Sequence, residues 1–165
     1  MQFLPYESFY IITKLKPDEI QARLEKIVSQ DDNSVFSFRN WTSTTRDTVY
    51  KGYAVNGAFE VERNIGYRNS FNPEIEGHTQ ANVGGSRIEI KMRLKIFVIV
   101  FLFVWLGIAG IGSLKSIPEL LSAQRTGSDL IPFGMFVFGY LLTLGGFKYE
   151  SIKSKSFLLV YLKAN

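Results

Sequence analysis

Hydrophobic and polar positions divide this chain into two regimes. Up to residue 95 apolar residues alternate with charged ones or recur at helical spacing, whereas two long runs after it carry no charge. In the first regime Phe9-Tyr10-Ile11-Ile12 predicts a strand. Pro17-Asp18-Glu19 then opens a helix whose Ile20, Leu24, Ile27 and Val28 fall at i, i+4, i+7 and i+8, one apolar stripe. The acids Asp18 and Glu19 meet the positive end of the helix dipole. Ser29-Gln-Asp-Asp-Asn ends this helix, and Val35 to Phe38 predicts a further short strand.

Two hairpins follow. Asn56-Gly57 is the strongest two-residue turn signal, because a type I′ turn needs positive φ at both central positions. Pairing across it sets Ala54 opposite Phe59 and Gly52 opposite Val61 on one face, with Lys51 opposite Glu62 on the other. A second turn at Gly84-Gly85 sets Ala81 opposite Ile88, Thr79 opposite Ile90, Gly77 opposite Met92 and Ile75 opposite Leu94, an apolar or small face throughout. The reverse face then pairs Glu76 with Arg93 and Glu74 with Lys95, a match that a slip of one residue destroys.

The second regime predicts two membrane spans. Ile96 to Leu114 gives 19 uncharged residues between Lys95 and Lys115, and Leu130 to Phe147 gives 18 between Asp129 and Lys148. A helix needs about 20 residues to cross about 30 Å of hydrocarbon. Pro132 falls in a first turn, where its missing N–H costs nothing. Ser116-Ile-Pro-Glu-Leu-Leu in the connector predicts a short helix capped by Ser116. Glycines at 107, 110, 112, 134, 139, 145 and 146 permit close helix approach, though no strict GxxxG is present. The competing reading, two buried helices of a soluble protein, asks a 165-residue globule for an interior it does not have.

The expected organisation is α+β. A small antiparallel β-sheet, open barrel or sandwich with one N-terminal helix fills residues 1–95. A transmembrane hairpin follows as 96–114, a connector 115–129 and 130–147, and then a helical tail 148–165. That tail holds Phe157-Leu-Leu-Val-Tyr-Leu, too short to cross a bilayer. We expect it to continue the second span and to dock Leu158 and Leu162 on the N-terminal domain; a helix flat on lipid and an added strand are the alternatives.

Charge adds orientation. The 19 Lys and Arg against 15 Asp and Glu give net +4. Arg87, Lys91, Arg93 and Lys95 precede the first span and Lys148, Lys153, Lys155 and Lys163 follow the second, while the connector carries only Lys115 and Arg125. Eight against two predicts an inner-membrane protein with both termini cytoplasmic, and places Arg87, Lys91, Arg93, Lys95 and Lys148 at the membrane interface. There is no cysteine, which excludes disulfides, thiol nucleophiles and Cys-ligated metals. The N-terminus lacks the basic and apolar regions of a cleaved signal peptide.

The run F-x-V-x-R-x-I-x-Y-R-N-S-F-N-P-x-I-x-G, residues 59 to 77, followed by I-x-I-x-M-R and two spans, resembles small bacterial two-span membrane proteins of unassigned function. The resemblance implies a bacterial membrane protein and brings no activity or site with it. Read physically, Tyr67, Arg68, Asn69 and Ser70 offer a stacking ring, a permanent cation and short polar donors in one loop, a mixture suited to an anionic or planar ligand. The same residues with Asn72 and Pro73 also make an ordinary turn with Tyr67 and Phe71 packed beneath it, and this plainer reading has the greater weight.

Other chemistry is thin. His78 is the single histidine, so no His-pair metal site exists, and the register places it on the charged face beside Lys91. Glu74 and Glu76 have basic cross-strand partners that hold them ionised rather than poised as an acid and base. Asn40-Trp41-Thr42 fits a glycosylation acceptor, in a cytoplasmic, bacterial setting that does not use it. Phe97, Phe101, Phe103 and Trp105 belong to lipid and not to a nucleic-acid platform. No phosphate loop or nucleophile motif occurs, and no metal or cofactor is expected. The lipid bilayer is the expected partner, joined by a protein partner or by further copies of the chain. Three readings follow: a non-enzymatic membrane-anchored binding module, an oligomerising membrane-perturbing effector, and an interfacial lipid enzyme, in that order.

Overall fold

The computed structural model describes residues 4–30, 49–67, 69–121 and 130–162. Along the chain run β1 (Tyr6–Thr13), α1 (Pro17–Ile27), β2 (Val28–Gln30), β3 (Tyr50–Val55), β4 (Ala58–Arg63), β5 (Glu74–Asn82), β6 (Gly85–Arg93), α2 (Ile96–Leu121) and α3 (Ile131–Tyr161). The strands form one open six-stranded sheet in the order β1-β6-β5-β4-β3-β2, antiparallel except where β2 meets β3. The fold is α+β, and among the described residues its sheet is open, closing into neither a barrel nor a sandwich.

Period-two alternation decides which face is covered. Ile11, Ile88, Ile90, Met92, Ile75, Phe59, Val61 and Tyr50 all point to one side and are buried. Onto that side α1 lays Ile20, Leu24 and Ile27, held at its start by Glu19, whose carboxylate accepts from the Lys16 backbone N–H at 2.9 Å. The same core takes Phe147 and Leu158 from α3 and Leu162 from just after it, so helix and sheet share one hydrophobic interior. Tail docking therefore follows expectation. The Thr13 hydroxyl donates to the Leu162 carbonyl at 2.9 Å, while Arg23 and Tyr161 exchange side-chain-to-backbone bonds of 2.9 and 3.1 Å.

The first hairpin has the expected register, with Asn56 at φ 52° and Gly57 at φ 78° in its turn. The second does not. Asn82 pairs with Gly85, so Thr79 faces Ile88, Gly77 faces Ile90, Ile75 faces Met92 and Glu74 faces Arg93, two residues from the expected pairing. Gly84, at φ 82°, takes the left-handed position of a Val83-Gly84 turn, leaving Gly85 in the strand. A slip of two keeps every side chain on its face, and so the apolar face survives unchanged. Against this shifted pairing Arg93 bridges Glu76 and Glu74, the latter at 3.8 Å, and Lys95 reaches Glu62. His78 is exposed opposite Glu89 and not beside Lys91.

Two further expectations are corrected. Val28 leaves the helical stripe and begins β2, because pairing with Tyr50 beside the core satisfies its backbone as well as burying it. The first apolar helix does not stop at Leu114; α2 runs on to Leu121, and the Ser116 hydroxyl bonds back to the Gly112 carbonyl at 3.1 Å instead of capping a new helix. The strand expected at Val35 to Phe38, the Asn40-Trp41-Thr42 acceptor and most of the connector lie outside the described residues.

Among the described residues, two helices are long and apolar enough to cross a membrane, Ile96–Pro118 and Ile131–Tyr161. Only 17% and 11% of their most apolar windows are buried, unlike the core helices of a soluble protein. They pack on each other through small residues: Gly110 lies under Phe136, Gly112 beside Pro132 and Gly139 against Trp105.

Candidate functional site

The loop from Asn64 to Pro73 carries the chain from β4 to β5 and rests on α3 just beyond its apolar stretch. Beneath it lies Glu150, a carboxylate with no solvent exposure. Burying a charge is costly unless it is paired. Here Arg63, the last residue of β4, reaches it at 3.1 Å, and the Tyr67 hydroxyl donates to its other oxygen. That bond pushes the Tyr67 phenol above its ordinary range, since ionising it would set two anions together. The Tyr67 ring itself remains half exposed.

The loop is held from within. The Asn69 side-chain oxygen accepts from the Phe71 N–H at 3.0 Å, and the Asn72 N–H closes a turn onto the Asn69 carbonyl at 3.1 Å. Buried Asn72 donates its amide to Glu62 at 3.1 Å and to the Arg63 carbonyl at 2.9 Å. The Phe71 ring lies on α3 where Gly146 leaves room, for a Cβ there would come within 2.8 Å of it. Sheet and helix are thus joined by a polar clasp at Glu150 and an apolar one at Gly146.

A second polar contact stands further along α3. Glu7 on β1 accepts from the Ser151 hydroxyl at 2.6 Å and from the Lys155 ammonium at 2.7 Å. Burial raises its pKa, but these donors and the charges of Lys155 and Lys148 outweigh that and hold it below the ordinary carboxylate range. Tyr50, pushed up to about 12 by burial, places its hydroxyl beside that of Ser154, outside hydrogen-bond geometry.

Of the four loop residues singled out in the sequence, Tyr67 joins the Glu150 cluster, Asn69 builds the turn, Ser70 is exposed, and Arg68 lies outside the described residues. Tyr67 and Asn69 thus serve different structures, the clasp and the turn, and the phenol of Tyr67 reaches a buried partner. Of the five interface cations, Arg93, Lys95 and Lys148 stand beside an apolar helix, whereas Arg87 and Lys91 lie further back on β6. Arg87 covers the Tyr10 ring at 3.9 Å and Lys91 pairs with Glu89 at 3.1 Å.

The open face of the sheet carries Glu60 opposite Glu76 and Glu62 opposite Glu74. Like charges across strands repel, and Lys51, Arg93 and Lys95 intervene. Glu74 nevertheless has its pKa raised, chiefly by burial and further by Glu60 and Glu62, with Lys95 and Arg93 opposing. The cations Lys95 and Arg93 lessen that rise without cancelling it. Among the described residues no group of three or more His, Asp or Glu is placed to hold a metal ion.

Sequence reasoning missed Glu150 and Glu7. The available signal was the spacing of Phe147, Ser151, Ser154, Leu158 and Leu162, a heptad-like stripe of apolar and small residues that brings Glu150 to its margin. Compared with known proteins, the chain matches no family model, no curated protein and no solved structure.

Proposed function

We propose that this chain is a non-enzymatic inner-membrane protein in which α2 and α3 form a two-span anchor, both termini are cytoplasmic, and the sheet domain presents its open face to a protein partner. The observation that carries this reading is the continuity of α3: one 31-residue helix leaves an exposed apolar stretch and enters the core of the sheet domain. A domain so built cannot leave the anchor without losing its own interior. The basic residues flanking the two helices supply the orientation. Glu150, Glu7 and Arg63 are each engaged in structural pairing, which favours binding over acid–base catalysis. The open face sets the acids Glu60, Glu62, Glu74 and Glu76 between the bases Lys51, Lys91 and Arg93 and also carries exposed Tyr10, Ile12 and Tyr53, a composition suited to a charged protein surface.

Fusions of a reporter active only outside the cytoplasm to each end are expected to be silent, with the chain resisting carbonate extraction. A photo-crosslinker at Gln80, on the open face, is expected to yield one discrete adduct in cells. Activity of either fusion overturns the topology, and a chain recovered only uncrosslinked overturns the docking face.

An assembly of several copies is favoured by a separate observation. Gly107, Gly134 and Gly145 have open space over them, unlike the glycines that the hairpin uses internally. Size analysis in mild detergent distinguishes this reading from a monomeric anchor.

A further inference from the structure

We propose that the groove between the 69–71 turn and the first two turns of α2 is a specific site for one membrane phospholipid. The inference rests on the membrane reading above and names a ligand for it. The groove encloses about 500 Å³ and is lined by Phe71, Phe97, Val98 and Phe101 below, with Asn69 and Ser70 at its rim. Phe97 and Phe101 are 64% and 61% exposed, in the stretch of α2 that follows Lys95 directly. Apolar wall and polar rim are therefore stacked in the order in which a phospholipid presents its acyl chain and its ester and headgroup region.

What separates this groove from ordinary lipid-facing helix surface is its third side. The turn is closed by the Asn72-to-Asn69 backbone bond, and its Phe71 ring is seated on Gly146 of α3, so the wall opposite α2 is fixed before any ligand arrives. The Asn69 side-chain oxygen is committed to the Phe71 N–H, which leaves its amide nitrogen and the Ser70 hydroxyl as the donors at the rim. Ester carbonyl and phosphate oxygens accept from such groups. Below, the groove is continuous with the lipid-facing side of α2, where Phe101 stacks on Trp105 with ring centroids 6.2 Å apart. A chain entering from the bilayer thus reaches the rim without crossing water.

Full-length protein in detergent is titrated with palmitoyl-oleoyl phosphatidylethanolamine and its stoichiometry read by native mass spectrometry. The wild type is expected to bind one molecule saturably. Ser70→Trp, which covers the rim, and Phe101→Ala, which removes a wall, are each expected to weaken that binding about tenfold or more. Ile108→Ala, on an exposed part of α2 outside the groove, is expected to leave it unchanged. Both test positions are exposed, and if Ser70→Trp does not fold, Phe101→Ala carries the test alone. Equal, unsaturable lipid uptake by all four proteins overturns the site while leaving the membrane reading intact. Release of the wild type from membranes by carbonate overturns the membrane reading, and the site with it.

Discussion

The hydroxyl of Tyr67 donates to the carboxylate of Glu150, 83 positions further along the chain, and through that bond an exposed loop is fastened to a buried point on the longest helix. The opposite oxygen of the same carboxylate is taken by Arg63. Removing one partner from a buried pair costs more than removing both, because the remaining charge is left without compensation. Arg63→Met is therefore expected to destabilise the chain by about 3 kcal/mol, and the double change Arg63→Met with Glu150→Leu by much less. Tyr67→Phe is expected to cost about 1 to 2 kcal/mol. Denaturant unfolding in detergent measures all three; a double variant no more stable than Arg63→Met alone would show that the unpaired Glu150 charge is not what costs.

The two shifted carboxylates make opposite contributions with pH. Glu7 has a depressed pKa, so its contribution is present above the unfolded value near 4.5 and is lost as pH falls through the lower folded value. Glu74 has a raised pKa; its ionisation opposes folding above the unfolded value, and that penalty is relieved as pH falls through the higher folded value. Glu7→Gln is expected to lower the melting temperature at pH 7 and to flatten its decline in acid. Glu74→Gln is expected to leave it unchanged or raised at pH 7. Thermal melts between pH 3 and 7 decide the matter.

Gly77 lies beneath the Phe59 ring, and a Cβ there would come within 2.0 Å of it. Gly77→Ala must displace a ring that is only 2% exposed, and is expected to cost about 1 to 3 kcal/mol. Combining it with Phe59→Leu should recover part of the loss. A neutral Gly77→Ala would mean that β4 and β5 pair in another register.

Deleting residues 156 to 165 removes Leu158 and Leu162, both fully buried, and the carbonyl that receives the Thr13 hydroxyl. Complete burial of each leucine is worth about 1.5 to 3 kcal/mol. The shortened protein is expected to insert into membranes normally while its sheet domain becomes sensitive to protease. Equal resistance in the two proteins would refute the shared core.

Arg93 faces both Glu76 and Glu74 on the open side of the sheet. Arg93→Glu is expected to cost about 0.5 to 1 kcal/mol, and exchanging Arg93 with Glu74, the residue directly opposite it, to be nearly neutral, as measured by unfolding at low salt.

Legibility in the sequence followed the range of the interaction. Asn56-Gly57 dictates a turn by local backbone preference, and the whole first hairpin could be read from it. At the second hairpin the alternation of Ile75, Gly77 and Thr79 identified the face, but alternation repeats every two residues and cannot tell a Gly84-Gly85 turn from a Val83-Gly84 one. Val28 fitted a helical stripe locally and was claimed by a parallel strand through its pairing with Tyr50. The 67–70 loop stood out as a polar cluster, yet its buried partner is a lone carboxylate in a remote helix, and nothing near Glu150 announces Arg63 or Tyr67. The tail was readable because six apolar residues outside a span require cover.

With a rise of 1.5 Å per residue, α3 is a rod of about 46 Å, of which the part beyond Phe147 is about 21 Å. Helices adjust their tilt to the hydrocarbon thickness around them. Because the sheet is clasped to this rod at Gly146, Glu150, Ser151 and Leu158, the described residues leave it no hinge at which to absorb such a change. In a membrane, a thinner or thicker bilayer would turn the open face of the sheet through the same angle as the helix, and lipid composition would set the angle at which that face meets whatever approaches it.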